Sequence, residues 1–154
     1  MAAERVTRFP PTVFSEFSAL AARCGAVNLG QGFPDFDGPD EVKQAAVAAI
    51  RDGVNQYAVS SGAPVLRKAI AEHSRRFWGM AVDPETMVTV TSGATEALFD
   101  AAMALVDPGD EVVLFEPHFD VYVPAVLMAG GVPRFVPLRP PDDQHAGWWF
   151  EPDE

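Results

Sequence analysis

Thr91-Ser92-Gly93-Ala94-Thr95-Glu96 is the stretch of this sequence whose residue types and order point most directly to chemistry. It joins a β-branched run, Met87-Val88-Thr89-Val90-Thr91, to a helix-like run from Ala97 to Val106. A chain that turns from strand to helix through Ser-Gly-Ala-Thr leaves the first N–H groups of the helix without intrahelical partners. Those donors, with the positive end of the helix dipole, make an anion site. Gly93 lets the backbone approach a phosphate closely, and Ser92 and Thr95 add hydroxyl donors. The same residue types also cap helices with no ligand involved, so the local pattern leaves both readings open.

Composition narrows the partners. The net charge of −11 is uneven: residues 1–80 carry nine Lys/Arg against eight Asp/Glu, residues 81–154 two against fourteen. Such a chain does not bind nucleic acid or an anionic membrane through charge, and neither partner is expected. A small anion site built from backbone dipoles is compatible with it. Cys24 is the single cysteine, which excludes an intrachain disulfide and a multi-cysteine metal site. No charged segment followed by an apolar core opens the chain, and no apolar run is long enough for a bilayer, so a cytoplasmic location is the simplest expectation. With 154 residues and 48% apolar content the chain suits one ordinary domain with a core.

The elements that must position the turn follow from periodicity. Residues 1–11 are expected to form an arm. Val13, Phe14, Phe17, Leu20, Ala21 and Cys24 recur at helical spacing, with Thr12 to cap the start, Gly25 to close the end, and Cys24 on the buried stripe. Ala26 to Phe36 reads as a short strand entering an ordered Gly/Pro loop. Pro39 to Arg51 and Pro64 to Phe77 read as amphipathic helices ended by Gly53 and Gly79; His73 is expected to be an ordinary structural histidine, and Lys68 to share a solvated face with Arg67. Then the pattern changes. Strand Met87–Thr91, helix Ala94–Val106, strand Glu111–Phe115, helix Asp120–Ala129 and strand Val132–Leu138 give β-α-β-α-β. Continuous apolar strands linked by helices imply a parallel sheet covered on both faces, with ligands at the strands' carboxyl ends. Thr91–Thr95 and Glu116–Asp120 both fall there. Trp148-Trp149-Phe150 near the end are expected to be exposed, their packing partner missing.

Asn28-Leu29-Gly30-Gln31-Gly32-Phe33-Pro34-Asp35-Phe36, Asn55-Gln56-Tyr57, Thr91 to Ala97, Pro108-Gly109-Asp110-Glu111-Val112 and Glu116-Pro117-His118-Phe119-Asp120 occur in that order. Together they resemble the N-terminal part of a class I, fold-type I pyridoxal-phosphate aminotransferase. The nearest subgroup is that of the kynurenine aminotransferases and succinyldiaminopimelate aminotransferases. The resemblance runs from about Thr12 to the end. It implies an α/β fold in which an N-terminal helical arm and small-domain segment (1–38) precedes the first β-α-β-α-β of a mostly parallel large-domain sheet (39–154), incomplete at its C-terminus.

The resemblance also implies roles. Gly93, Ala94 and Thr95 would cradle the phosphate of pyridoxal 5'-phosphate, and Phe119 would stack on its ring. Tyr57 would reach the phosphate of the partner subunit in a homodimer. Gly32 would meet the substrate carboxylate through its backbone, and His118, where the family often has an aromatic, would line the pocket. Amino acids and 2-oxo acids would be the substrates. The family's Schiff-base lysine lies well after the phosphate loop, and only Lys43 and Lys68 occur here, both before it. The Asn-Pro loop, the Asp facing the ring nitrogen and the C-terminal Arg of the family are likewise unmatched, and Phe150 to Glu154 resembles the start of a further family segment. The expectation is therefore a fragment of an aminotransferase. A cysteine-conjugate β-lyase is the variant within the family, and a non-catalytic remnant with a phosphate-binding cup is the alternative for the chain alone. A nucleotide-binding domain is disfavoured by the lack of Gly-x-Gly-x-x-Gly and of a Gly-x-x-x-x-Gly-Lys-Ser/Thr loop.

Overall fold

A computed structural model describes residues 3, 6–7, 9, 11–32 and 34–152. Most of the expected arm, Phe33 of the Gly-Phe-Pro segment and Asp153-Glu154 lie outside the described residues. The chain forms two compact units, one of residues 1–16 with 92–154 and one of residues 17–91, so that the first division falls inside a helix.

That helix, α1 (Val13–Cys24), starts where Thr12 Oγ1 accepts the Ser15 N–H at 3.3 Å. It closes at Gly25, φ +59°, with the Ala26 N–H on Ala21 O at 3.0 Å. The caps are those the sequence predicts, but the buried stripe is not formed. No residue of α1 is buried among the described residues, and Cys24 is exposed. In the unit 17–91 the expected strand after Ala26 is also absent. Asn28 Oδ1 accepts the Gly30 N–H at 3.0 Å while its Nδ2 donates to Ser18 Oγ at 3.0 Å. A side chain that bonds its own backbone two residues on holds a turn in place of a ladder.

Helices α2 (Asp40–Arg51) and α3 (Pro64–Trp78) form as predicted, α3 with proline in its first turn and Gly79 left-handed (φ +68°) at its end. The face carrying Arg67 departs from expectation. Lys68 is exposed, but Arg67 is buried, its Nη1 donating to Pro84 O at 2.7 Å and its Nη2 to Glu85 Oε2 at 3.1 Å. Ser74, seven residues on in the same helix, is also buried, its hydroxyl donating to Ile70 O at 2.9 Å. Asp83 organises the segment that receives Arg67: its carboxylate takes the Glu85 N–H at 2.9 Å and the Thr86 hydroxyl at 2.8 Å. These bonds hold Asp83 below the usual carboxylate range, the Glu85 N–H contributing most.

The expected strand Met87–Thr91 is not one. Met87 closes the turn with its N–H on Asp83 O, and Val90 donates to Ser61 O at 3.0 Å, without a ladder. Strands exist only as pairs, and apolar β-branched residues alone do not supply a partner.

The other unit holds α4 (Gly93–Leu105), β1 (Glu111–Glu116), α5 (Tyr122–Ala129) and β2 (Val132–Pro137). β1 and β2 are parallel, Glu111 opposite Val132 and Glu116 opposite Pro137, so the second β-α-β of the sequence reading is present. Helix α5 packs on α4 and on both strands. The core lies there, at Ala125 and Val126, 7% and 4% exposed. Two turns lock beside it: the Gly109 N–H bonds Gly130 O at 2.9 Å and the Val132 N–H bonds Asp110 O at 2.7 Å. Coverage of both sheet faces is not observed. Val112 and Leu114 are half-buried, whereas Val113 and Phe115 of the opposite face are exposed. Trp148 and Phe150 are exposed as expected, although the Phe150 ring meets Phe115 at 5.1 Å. Trp149 is better packed than expected: it bridges Arg139 in an antiparallel pair and stacks on His145 at 4.0 Å.

Candidate functional site

The turn singled out in the sequence starts α4 as predicted. Gly93 has φ +81°, the left-handed region in which a side chain is strained, and nothing lies within 4 Å of where a Cβ would stand. Here glycine is required by backbone conformation, and the room beside it is open. Ala94 and Thr95 form the first turn and are exposed. The Ser92 side chain makes no cap hydrogen bond. Its backbone N–H is instead taken by the carboxylate of Glu96, through Oε2. Sequence reading missed that contact. The signal was an acid four residues after Ser92, one beyond the usual capping-box spacing.

Thr95 lines a cavity of about 180 Å³ with Phe99 of α4, Asp120 and Val121 of the loop after β1, and Pro124 of α5. The start of α4 and the loop that leaves the carboxyl end of β1 therefore meet at one place within this unit. The loop begins with a cis Glu116–Pro117 peptide bond. His118 follows, half-buried, its Nδ1 at 3.0 Å from Phe119 O and its ring stacked on Phe135 of β2 at 5.8 Å. Phe119 is exposed and meets Tyr122 edge-on at 6.0 Å, so one face-bearing aromatic stands at the loop with its ring unburied. Gly32 and Tyr57 belong to the unit 17–91. The backbone of Gly32 is open on its Cα side, and the Tyr57 side chain is fully exposed.

The donor set at the turn suits a phosphate: a glycine-shaped backbone, the N–H groups of a helix start and the Thr95 hydroxyl, with open space beside them. The lysines do not resemble an amine poised for nucleophilic attack, which must lose its proton. Lys43 is held by Asp37 and Asp40, each at 2.7 Å, and these carboxylates, Asp37 foremost, raise its pKa and keep it charged. Lys68 stands exposed on α3. Among the described residues no group of three or more His, Cys, Asp or Glu could hold a metal ion, and no helix is long and apolar enough to cross a membrane.

The profile of the family "Aminotransferase class I and II" matches residues 25–148. The chain is 55% identical over 140 residues to a probable N-succinyldiaminopimelate aminotransferase of Mycobacterium tuberculosis, covering 91% of this chain and 35% of that protein. It is 46% identical over 130 residues to the methionine aminotransferase of Escherichia coli, covering 84% of this chain and 34% of the relative. The solved structure of N-succinyldiaminopimelate aminotransferase from Mycobacterium tuberculosis superimposes with a TM-score of 0.88 at 52% identity, over 99% of this chain and 39% of that one. The chain thus spans about a third of the length of the relatives it matches.

Proposed function

The chain belongs to the class I and II aminotransferases, and from that premise we propose that it serves pyridoxal-phosphate-dependent transfer of an amino group from an amino acid to a 2-oxo acid. The observation that carries the proposal is the left-handed Gly93 at the start of α4, with open space beside it, inside the segment that matches the family. In this reading residues 1–38 belong to the arm and small domain and residues 39–154 to the first part of the cofactor-binding domain. The active form is a cytoplasmic homodimer.

Each residue then has a physical task. The N–H groups of the first turn of α4 and the Thr95 hydroxyl hold the phosphate, where the helix dipole favours negative charge. Phe119 offers a flat apolar face that fixes the plane of the pyridine ring. Tyr57 donates its hydroxyl to the phosphate bound in the partner subunit, which its full exposure permits. Gly32 presents its backbone to the substrate carboxylate, and His118 lines the substrate side of the ring. Pyridoxal phosphate, when bound, supplies the electron sink on which amino transfer depends. A second reading has a specific observation in its favour. With Lys43 pinned as a cation and Lys68 exposed on α3, the isolated chain holds the phosphate group without transferring amino groups by itself.

An absorbance titration with pyridoxal phosphate, followed by borohydride reduction and peptide mass mapping, tests both. Saturable binding lost in Gly93→Ala, with no adduct confined to one lysine, supports the cup and the second reading for the chain alone. A single specific pyridoxyl-lysine overturns the second reading. Binding unaffected by Gly93→Ala overturns the assignment of the cup.

A further inference from the structure

We infer that Glu96 is a positioning residue that sets how strongly the turn Ser92–Thr95 holds a phosphate. It keeps the Ser92 N–H for itself and holds a negative charge at the start of α4. The inference rests on the reading that this turn receives the cofactor's phosphate.

A helix start offers a limited set of backbone donors, and the Glu96 carboxylate takes one next to the turn, that of Ser92. A charged acceptor on a backbone N–H makes a stronger hydrogen bond than a neutral one, and an acid in the first turn is favoured by the helix dipole. Both effects stabilise the turn while it holds no ligand. Both oppose a second anion, because an arriving phosphate shares the same dipole and meets the carboxylate's charge. Asp120 adds a carboxylate to the cavity that Thr95 lines, and among the described residues no lysine or arginine lines it. The sign of Glu96's effect is therefore fixed: it pre-shapes the empty turn and weakens the hold on phosphate, leaving the site able to exchange its ligand.

Glu96→Gln separates the two effects, since the amide oxygen still accepts the Ser92 N–H but carries no charge. Glu96→Ala removes both. The probe is pyridoxamine 5'-phosphate, which keeps the phosphate and has no aldehyde to react with Lys43 or Lys68; inorganic phosphate is the control. Binding is followed by fluorescence titration at low and at high salt. At low salt Glu96→Gln is expected to bind about two- to fivefold tighter than wild type, the scale of one charge at a partly exposed helix end. The gain shrinks as salt is raised. Glu96→Ala gains less, because the turn loses its internal acceptor. Equal or weaker binding by Glu96→Gln, while Gly93→Ala cuts wild-type binding, overturns this inference and leaves the phosphate reading standing. Wild-type binding that is absent, or indifferent to Gly93→Ala, overturns the phosphate reading and this inference together.

Discussion

Arg67 shows how much a single side chain can decide in a chain with so few buried groups. The residue is 5% exposed and its guanidinium ties α3 to the segment 83–86 through Pro84 O, whereas its ion-pair partner Glu85 is largely in water. Removing the guanidinium leaves the Pro84 carbonyl short of a donor, so Arg67→Met is expected to cost about 1–3 kcal/mol, read from urea denaturation. Glu85→Gln leaves the carbonyl bond intact and keeps an amide oxygen to accept from Nη2, so it is expected to cost less, about 1 kcal/mol. Equal losses in the two variants would show that the pair, and not the carbonyl bond, carries the contact. Asp142 makes a pH-dependent counterpart. The His145 ring at 2.9 Å foremost, then the N–H groups of Gln144 and His145, hold its carboxyl below the usual range. A folded pKa below the unfolded one means that the stabilisation is complete above the ordinary carboxylate value and is lost as pH falls through the lowered one. The turn that carries His145 against Trp149 is therefore expected to loosen in acid. In a Trp78→Phe/Trp148→Phe background the Trp149 emission reports it, and Asp142→Asn removes the acid transition.

Between elements, the fit is close at Gly131, where the end of α5 meets the end of α4. A Cβ there would stand 2.7 Å from Val106 Cγ1, 3.1 Å from Val126 Cγ1 and 3.3 Å from Asp110 O. Two stiff β-branched side chains and a backbone carbonyl have little room to give, so Gly131→Ala is expected to destabilise by about 1–3 kcal/mol, measured by thermal melting. Gly109→Ala, strained by φ +95° but facing open space, separates backbone strain from overpacking and is expected to cost about 1–2 kcal/mol. The sequence already carried the Pro108-Gly109-Asp110 and Gly130-Gly131 turns, since glycine and proline mark backbone geometry locally. Helices α1 to α5 were legible for a related reason: caps, end glycines and 3.6-residue periodicity are all written within each segment. The elements that failed were those decided elsewhere in the chain. Met87–Thr91 has strand-like residues but no ladder partner, and Asn28 diverts its segment into a turn. Arg67 read as solvated because charge alone does not reveal a carbonyl waiting seventeen residues downstream. The turn through Gly93 into α4 was legible; the left-handed backbone at Gly93 and the carboxylate of Glu96 on Ser92 were not.

At the scale of the molecule, exposed apolar surface sets the behaviour. Ala125 and Val126 alone make up the buried apolar core among the described residues. Phe17 and Leu20 of α1, Val113 and Phe115 of β1, and Val27 and Leu29 of the following loop are all exposed beyond 40%. Exposed apolar surface on each unit favours association, and the row of open backbone groups along a two-stranded sheet adds a template for it. The net charge of −11 works in the other direction, by mutual repulsion that salt screens. The two forces predict a specific dependence. At low salt the isolated chain is expected to sediment as small oligomers that bind a hydrophobic dye. Raising the salt concentration is expected to shift it to larger species, because screening removes the repulsion and leaves the apolar attraction. Sedimentation velocity across a salt series reads this directly. A sharp monomer boundary at every ionic strength, with a cooperative melt, would mean that these apolar faces are covered in solution and that the chain buries far more of itself than the structure shows.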